Sequence, residues 1–102
     1  MVAQAVEKLP AGFRKRLHNV AFVVQTDSPN GELLGLYEGG GGAFHLPDKI
    51  TIYQRPHEQS TRNLRQLQKL IDETVWHEVA HYFGLNEREV LRAERRRART
   101  LF

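Results

Sequence analysis

One helical register, running unbroken from Ser60 or Thr61 to Gly84, constrains this chain more than any other feature. Ser60 or Thr61 can cap a helix start with a side-chain oxygen, and a glycine is where a helix end costs least. At about 100° per residue, Leu64, Leu67, Ile71, Val75 and Tyr82 fall into one apolar stripe. Glu78 falls inside the same stripe. A carboxylate aimed at a core costs several kcal/mol unless it is paired, protonated or serving a metal. A helix that was merely solvated would have kept Glu78 off that face.

The end of the helix supplies a reason for the carboxylate. Residues 77 to 89 read HEVAHYFGLNERE. His77 and His81 stand at i and i+4, about 40° apart around the axis and about 6 Å along it, so both imidazoles can converge on one ion. Gly84 follows three residues later and lets the chain double back in a left-handed turn, which delivers Glu87 at the start of the next helix. Two imidazoles and one carboxylate make a ligand set for zinc, with Glu78 left to act on a water at the fourth position. The chain contains no cysteine, so any zinc must be held by histidine nitrogens and carboxylate oxygens. His18, His45 and His57 lack such spacing and read as satisfied surface or boundary residues. Trp76 and Phe83 read as core or interface anchors.

Elsewhere the pattern alternates between short helices and strands. VAQAVEKLPAGFRKRL has apolar residues at helical spacing, with Pro10 breaking it into two short turns or opening a second helix. NVAFVVQT, residues 19 to 26, reads as a buried strand, DSPNGE as a turn and LLGLYEG as a second strand. GGGG at 39 to 42 reads as a loop and contains no phosphate-binding pattern. KITIYQRP, residues 49 to 56, alternates as a strand ended by Pro56. Asn86 with Glu89 is a capping-box pair that opens a last helix toward Leu101.

A chain of 102 residues is too short for two cores, which predicts one domain over residues 1–102. With 40% hydrophobic and 26% charged residues it is too apolar for a disordered chain. No apolar run is long enough to span a bilayer, and MVAQAVEKLPAG lacks the pattern of a secretory signal; the expected location is cytoplasmic, with no membrane partner. The formal net charge of +3 owes much to LRAERRRART near the carboxyl end. Arg92, Arg95, Arg96, Arg97 and Arg99 are dense, but Glu94 interrupts them, and such a helix is ordinarily a solvated face rather than a nucleic-acid surface.

These blocks resemble a known family, the short bacterial zincin-like proteins or minimal zincins, whose signature is HExxH followed by xxG and xxD. LLGLYEG, LPDKITIYQRP and the helix into VWHEVAHYFGLNERE stand in the family's order, so the resemblance covers roughly residues 10 to 95. It implies an α/β (α+β) fold in which a small mixed sheet packs against the metal-site helix. It also implies His77 and His81 as ligands, Glu87 as the acidic third ligand and Glu78 as catalytic acid and base. At position 87 the family usually has Asp, and this chain has the longer Glu.

Two functions follow. In the first the chain is a zinc-dependent hydrolase, most naturally a metallopeptidase acting on a peptide or protein substrate, with Glu78 activating a zinc-bound water. Tyr37, Tyr53, Tyr82 or His45 would then be candidates to stabilise an oxyanion. In the second the chain is a binding or structural module, with or without metal, whose motif ties the long helix to the last one.

Overall fold

The computed structural model describes residues 1–41 and 46–101, side chains of 97–101 excepted. Two short helices, α1 (Val2–Glu7) and α2 (Ala11–Arg16), meet at Pro10, which stands at the amino-terminal cap of α2. Its ring fixes φ and lacks an N–H to donate, so it starts a helix more easily than it continues one. Three strands follow, β1 (Val20–Gln25), β2 (Gly35–Glu38) and β3 (Asp48–Tyr53), in the order β1-β3-β2. β1 runs parallel to β3 and β2 antiparallel to it, so the sheet is small and mixed. Three helices complete the chain: α3 (Gln54–Gln59), α4 (Leu64–Tyr82) and α5 (Glu87–Leu101). The expected α+β architecture, a mixed sheet against the long helix, is the observed one. No helix among the described residues is long and apolar enough to cross a membrane.

The core lies between one face of the sheet and helices α1 and α4. Ala5 and Leu9 meet Ile71, Val75 and Val79 of α4, and Ile50 and Ile52 of β3 close the cluster. Ile50 and Ile52 sit on the central strand, which explains why both are buried, at 0% and 2% exposure. Phe22 stands opposite Ile50 in the register and packs on the same cluster. On the surface, Lys8 reaches Asp72 at 2.8 Å and ties α1 to α4, an exposed pair worth at most about 1 kcal/mol.

Four expectations are corrected. β1 is not buried: it is an edge strand, half-buried over its first four residues, and Val24 is 54% exposed. Pro56 does not end β3 in a loop. The strand stops at Tyr53 and α3 begins at once, with Pro56 in its first turn, where a missing N–H costs nothing. The long helix starts later than expected, at Leu64, because Asn63 accepts from the Gln66 N–H at 2.9 Å. Ser60 and Thr61 spend their hydroxyls on the Pro56 and His57 carbonyls at the end of α3. Leu64 therefore lies in the first exposed turn, outside the apolar stripe.

The fourth correction is His57, which is fully buried and not a boundary residue. Its Nδ1 faces the Tyr53 carbonyl at 2.6 Å and must carry the hydrogen. The other ring nitrogen lies 2.8 Å from Thr74 Oγ1, whose hydroxyl also reaches the Leu70 carbonyl at 2.9 Å. The histidine thus joins α3, the end of β3 and α4. Burial lowers its pKa from the ordinary 6.5, against the opposing effect of the Tyr53 carbonyl. As pH falls below 6.5 the unfolded chain takes up this proton before the folded one, so stability is lost on the acid side. His57→Gln removes the titration, and its unfolding free energy is expected to fall less than that of wild type between about pH 7 and pH 5. Parallel curves from urea unfolding would show that His57 does not set that slope.

Candidate metal centre

The site is assembled by the way α4 ends. Phe83 caps the helix, Gly84 takes φ +85, its N–H donates to the His81 carbonyl at 2.9 Å, and the Leu85 N–H donates to the Ala80 carbonyl at 3.2 Å. That pair of bonds is a Schellman turn, and its left-handed position favours glycine. The turn swings the Leu85 carbonyl back beneath the helix, where it accepts from His81 Nδ1 at 2.9 Å. Asn86 then opens α5: its Oδ1 accepts from the Glu89 N–H at 2.9 Å, and Glu89 returns the bond to the Asn86 N–H at 3.3 Å. This is the expected capping box, and it places Glu87 in the first turn of α5. Val90, with no exposed surface, seats the helix.

His77, His81 and Glu87 come together as the sequence predicts. One ligand atom from each lies within 4.8 Å of the others, and such a set could hold a metal. His81 Nε2 is 2.7 Å from a Glu87 oxygen, and His77 Nε2 is 3.4 Å from the same carboxylate. The extra methylene of Glu at this position does not keep its carboxylate from the imidazoles. Sequence reasoning missed Glu94, whose Oε1 lies 2.7 Å from His77 Nδ1. It stands seven residues after Glu87, two helical turns along the same face of α5. That spacing was the available signal, masked by the arginines around it.

Each Nδ1 faces an acceptor that has no hydrogen of its own when ionised or neutral, Glu94 for His77 and the Leu85 carbonyl for His81. Each Nδ1 therefore carries the hydrogen, and each Nε2 is the atom turned toward Glu87. In a neutral ring that atom carries a lone pair free to ligate an ion, and its contact with Glu87 is a hydrogen bond when the ring takes up a second proton. Burial alone would lower the His77 pKa, but the Glu94 and Glu87 carboxylates outweigh it and raise the value. Burial would raise that of Glu87, but its bonds to His81 and His77 lower it. The donor set, two imidazole nitrogens and a carboxylate without thiolate, suits a divalent ion of zinc's character.

Glu78 is buried, at 8% exposure, as its place in the stripe predicts. Burial raises its pKa, against the lowering influence of His77, His81 and the Tyr37 backbone N–H that donates to it. No lysine or arginine pairs with it among the described residues. β2 presses close here because Gly35 has no side chain: a Cβ would lie 2.7 Å from Thr74 Cγ2 and 3.1 Å from Glu78 Cγ. Of the suggested oxyanion partners, Tyr37 donates its hydroxyl to Asp48 at 2.7 Å, and its pKa is pushed up to about 12 by burial and that carboxylate. Tyr53 is buried, and the Tyr82 hydroxyl sits 3.2 Å from the His18 N–H. His45 lies outside the described residues. Trp76 and Phe83 pack, half-buried, against the core.

Residues 17–97 match the family model described as zincin-like metallopeptidase. The chain belongs to this family. Among solved structures, it is similar to a conserved hypothetical protein from Thermo thermophilus, at 22% identity and a TM-score of 0.57, over 81% of this chain and 87% of that one. That likeness is one of fold. No curated sequence matches the chain.

The two glycines of this zincin-like site are required for different reasons, and stability measurements separate them. Gly35→Ala overpacks β2 against α4 and is expected to cost about 1–3 kcal/mol. Gly84→Ala meets no atom within 4 Å and should cost only the left-handed backbone, about 1–2 kcal/mol. Gly12→Ala, in α2 with open space around it, should be neutral or stabilising. Urea unfolding of the three variants checks this, and a Gly35→Ala curve matching that of Gly12→Ala would contradict the packing described.

Proposed function

We propose that this zincin-like chain is a zinc-dependent hydrolase of peptide bonds, with His77, His81 and Glu87 as ligands and Glu78 as the general base and acid. The observation that carries the reading is a buried carboxylate with no lysine or arginine partner among the described residues, set beside a cluster of two imidazoles and a carboxylate. A divalent ion held by that cluster would supply Lewis acidity, polarising a carbonyl and lowering the pKa of water.

The chain's own groups do the rest. Glu94 and the Leu85 carbonyl hold the two rings by their Nδ1 hydrogens, which keeps Nε2 directed at the ion position without rotation. Glu94 is thus a positioning residue. Glu78 takes a proton from the attacking water and returns it to the departing amine. Its raised pKa moves it from an ordinary surface carboxylate toward a base suited to neutral pH.

A second reading has one observation in its favour. The bonds from His77 and His81 to Glu87 and Glu94 join α4 to α5, so an ion there could serve as a clip between two helices. Glu78 distinguishes the two. Glu78→Gln keeps the shape and removes the base; it is expected to bind zinc as wild type does and to lose at least about a hundredfold of the hydrolysis of casein or unstructured peptides. Zinc-loaded wild type with no turnover across a broad peptide library, or a Glu78→Gln variant as active as wild type, would leave the clip as the better account.

A further inference from the structure

A groove of about 790 Å³ opens against the site, with His77 and Glu78 in its lining. It follows α4 back to Lys69, about 12 Å along the helix axis from His77, the length of three or four extended residues. The opposite wall is the segment 32–35 leading into β2. Leu33, Leu34, Leu70 and Trp76 make its apolar surface.

The charge of this groove runs against that of the chain. Glu32, Asp72, Glu73, Glu78 and Glu94 line it, opposed among the described residues by the single lysine Lys69 and no arginine, whereas the whole sequence carries a formal +3. Lys8 answers Asp72, and His77 answers Glu94. Glu32 and Glu73 are exposed, one on each wall, and neither has an ion-pair partner among the described residues. Nor is this only an acidic patch. It is a cavity with an apolar lining, and Glu78, more than nine-tenths buried, is part of its wall. Glu73 stands one helical turn before His77, about 6 Å along the axis, which is about two residues of an extended chain.

We infer that the groove binds unstructured peptide segments carrying lysine or arginine, with Glu32 and Glu73 selecting a basic side chain about two residues from the peptide bond presented to the site. The inference rests on the hydrolase reading for the bond being presented, but not for the binding itself. Apolar neighbours of the basic residue lie on Leu33, Leu70 and Trp76. Exposed carboxylates act at modest strength and are screened by salt, so selectivity is expected to be real but limited.

Trp76 is the sole tryptophan of the chain and lines the groove, so its fluorescence reports occupancy without any need for turnover. The full chain, loaded with zinc, is titrated with three peptides identical except for Lys, Gln or Glu at one central position. The Lys peptide should bind about tenfold more tightly than the Gln peptide, the worth of two exposed charge pairs, and the Glu peptide more weakly still. The double variant Glu32→Gln, Glu73→Gln should bring the Lys and Gln peptides together, and so should high salt. A Lys preference in wild type that survives in the double variant overturns the assignment, and so does equal binding of all three peptides by wild type. Hydrolysis of the same peptides is followed separately. Turnover without charge preference defeats the groove and spares the hydrolase; charge-selective binding without turnover supports the groove and defeats the hydrolase.

Discussion

Burial of one carboxylate organises this structure. Glu78 sits where α4 meets the sheet, a place where an apolar side chain would stabilise and a glutamate costs several kcal/mol. What surrounds it reads as compensation. A backbone N–H from β2 lowers its pKa, and two imidazoles stand on the same helix, one residue before it and three after. Gly35 has no side chain, so the strand can lie against Thr74 and the Glu78 side chain. Each of these arrangements lowers stability or restricts sequence on its own account. Together they make sense around a group that has to be both buried and able to exchange a proton.

The same economy holds at the junction of α4 and α5. Val90 is the helix's fully buried anchor, and much of the remaining attachment is polar, from Glu87 and Glu94 to the two histidines. The turn between the helices therefore fixes more than the path of the chain. By returning the Leu85 carbonyl to His81 it sets which ring nitrogen bears hydrogen, as Glu94 does for His77. Ring orientation, protonation and approach of the third ligand all descend from a left-handed glycine and the asparagine cap that follows it.

Much of the site was legible because its parts are close in sequence. His77, Glu78, His81, Gly84 and Glu87 fall within about three turns of chain, where helical geometry and turn chemistry carry the argument without tertiary information. The mixed sheet against the long helix followed from resemblance, and strand order did not follow from pattern at all. A run of valines and an aromatic such as AFVV reads alike at the centre or the edge of a sheet, so β1 looked buried. Pro56 looked like a terminator because its tolerance in a first turn depends on a helix that the pattern of 54–59 barely announces. His57 and Glu94 escaped notice for a common reason. Each acts on a partner seventeen residues away, at a distance only the fold sets.

The central claim is that two imidazoles of α4 and a carboxylate of α5 share one divalent ion. Isothermal titration of zinc into metal-free wild type, Glu87→Ala and Glu89→Ala tests it most directly, because Glu89 sits two residues further on and bonds to the Asn86 cap, outside the cluster of His77, His81 and Glu87. The account predicts one zinc per chain in wild type, binding weakened at least about tenfold in Glu87→Ala, and binding near wild type in Glu89→Ala. Absence of binding in wild type, or equal loss in the two variants, would contradict it.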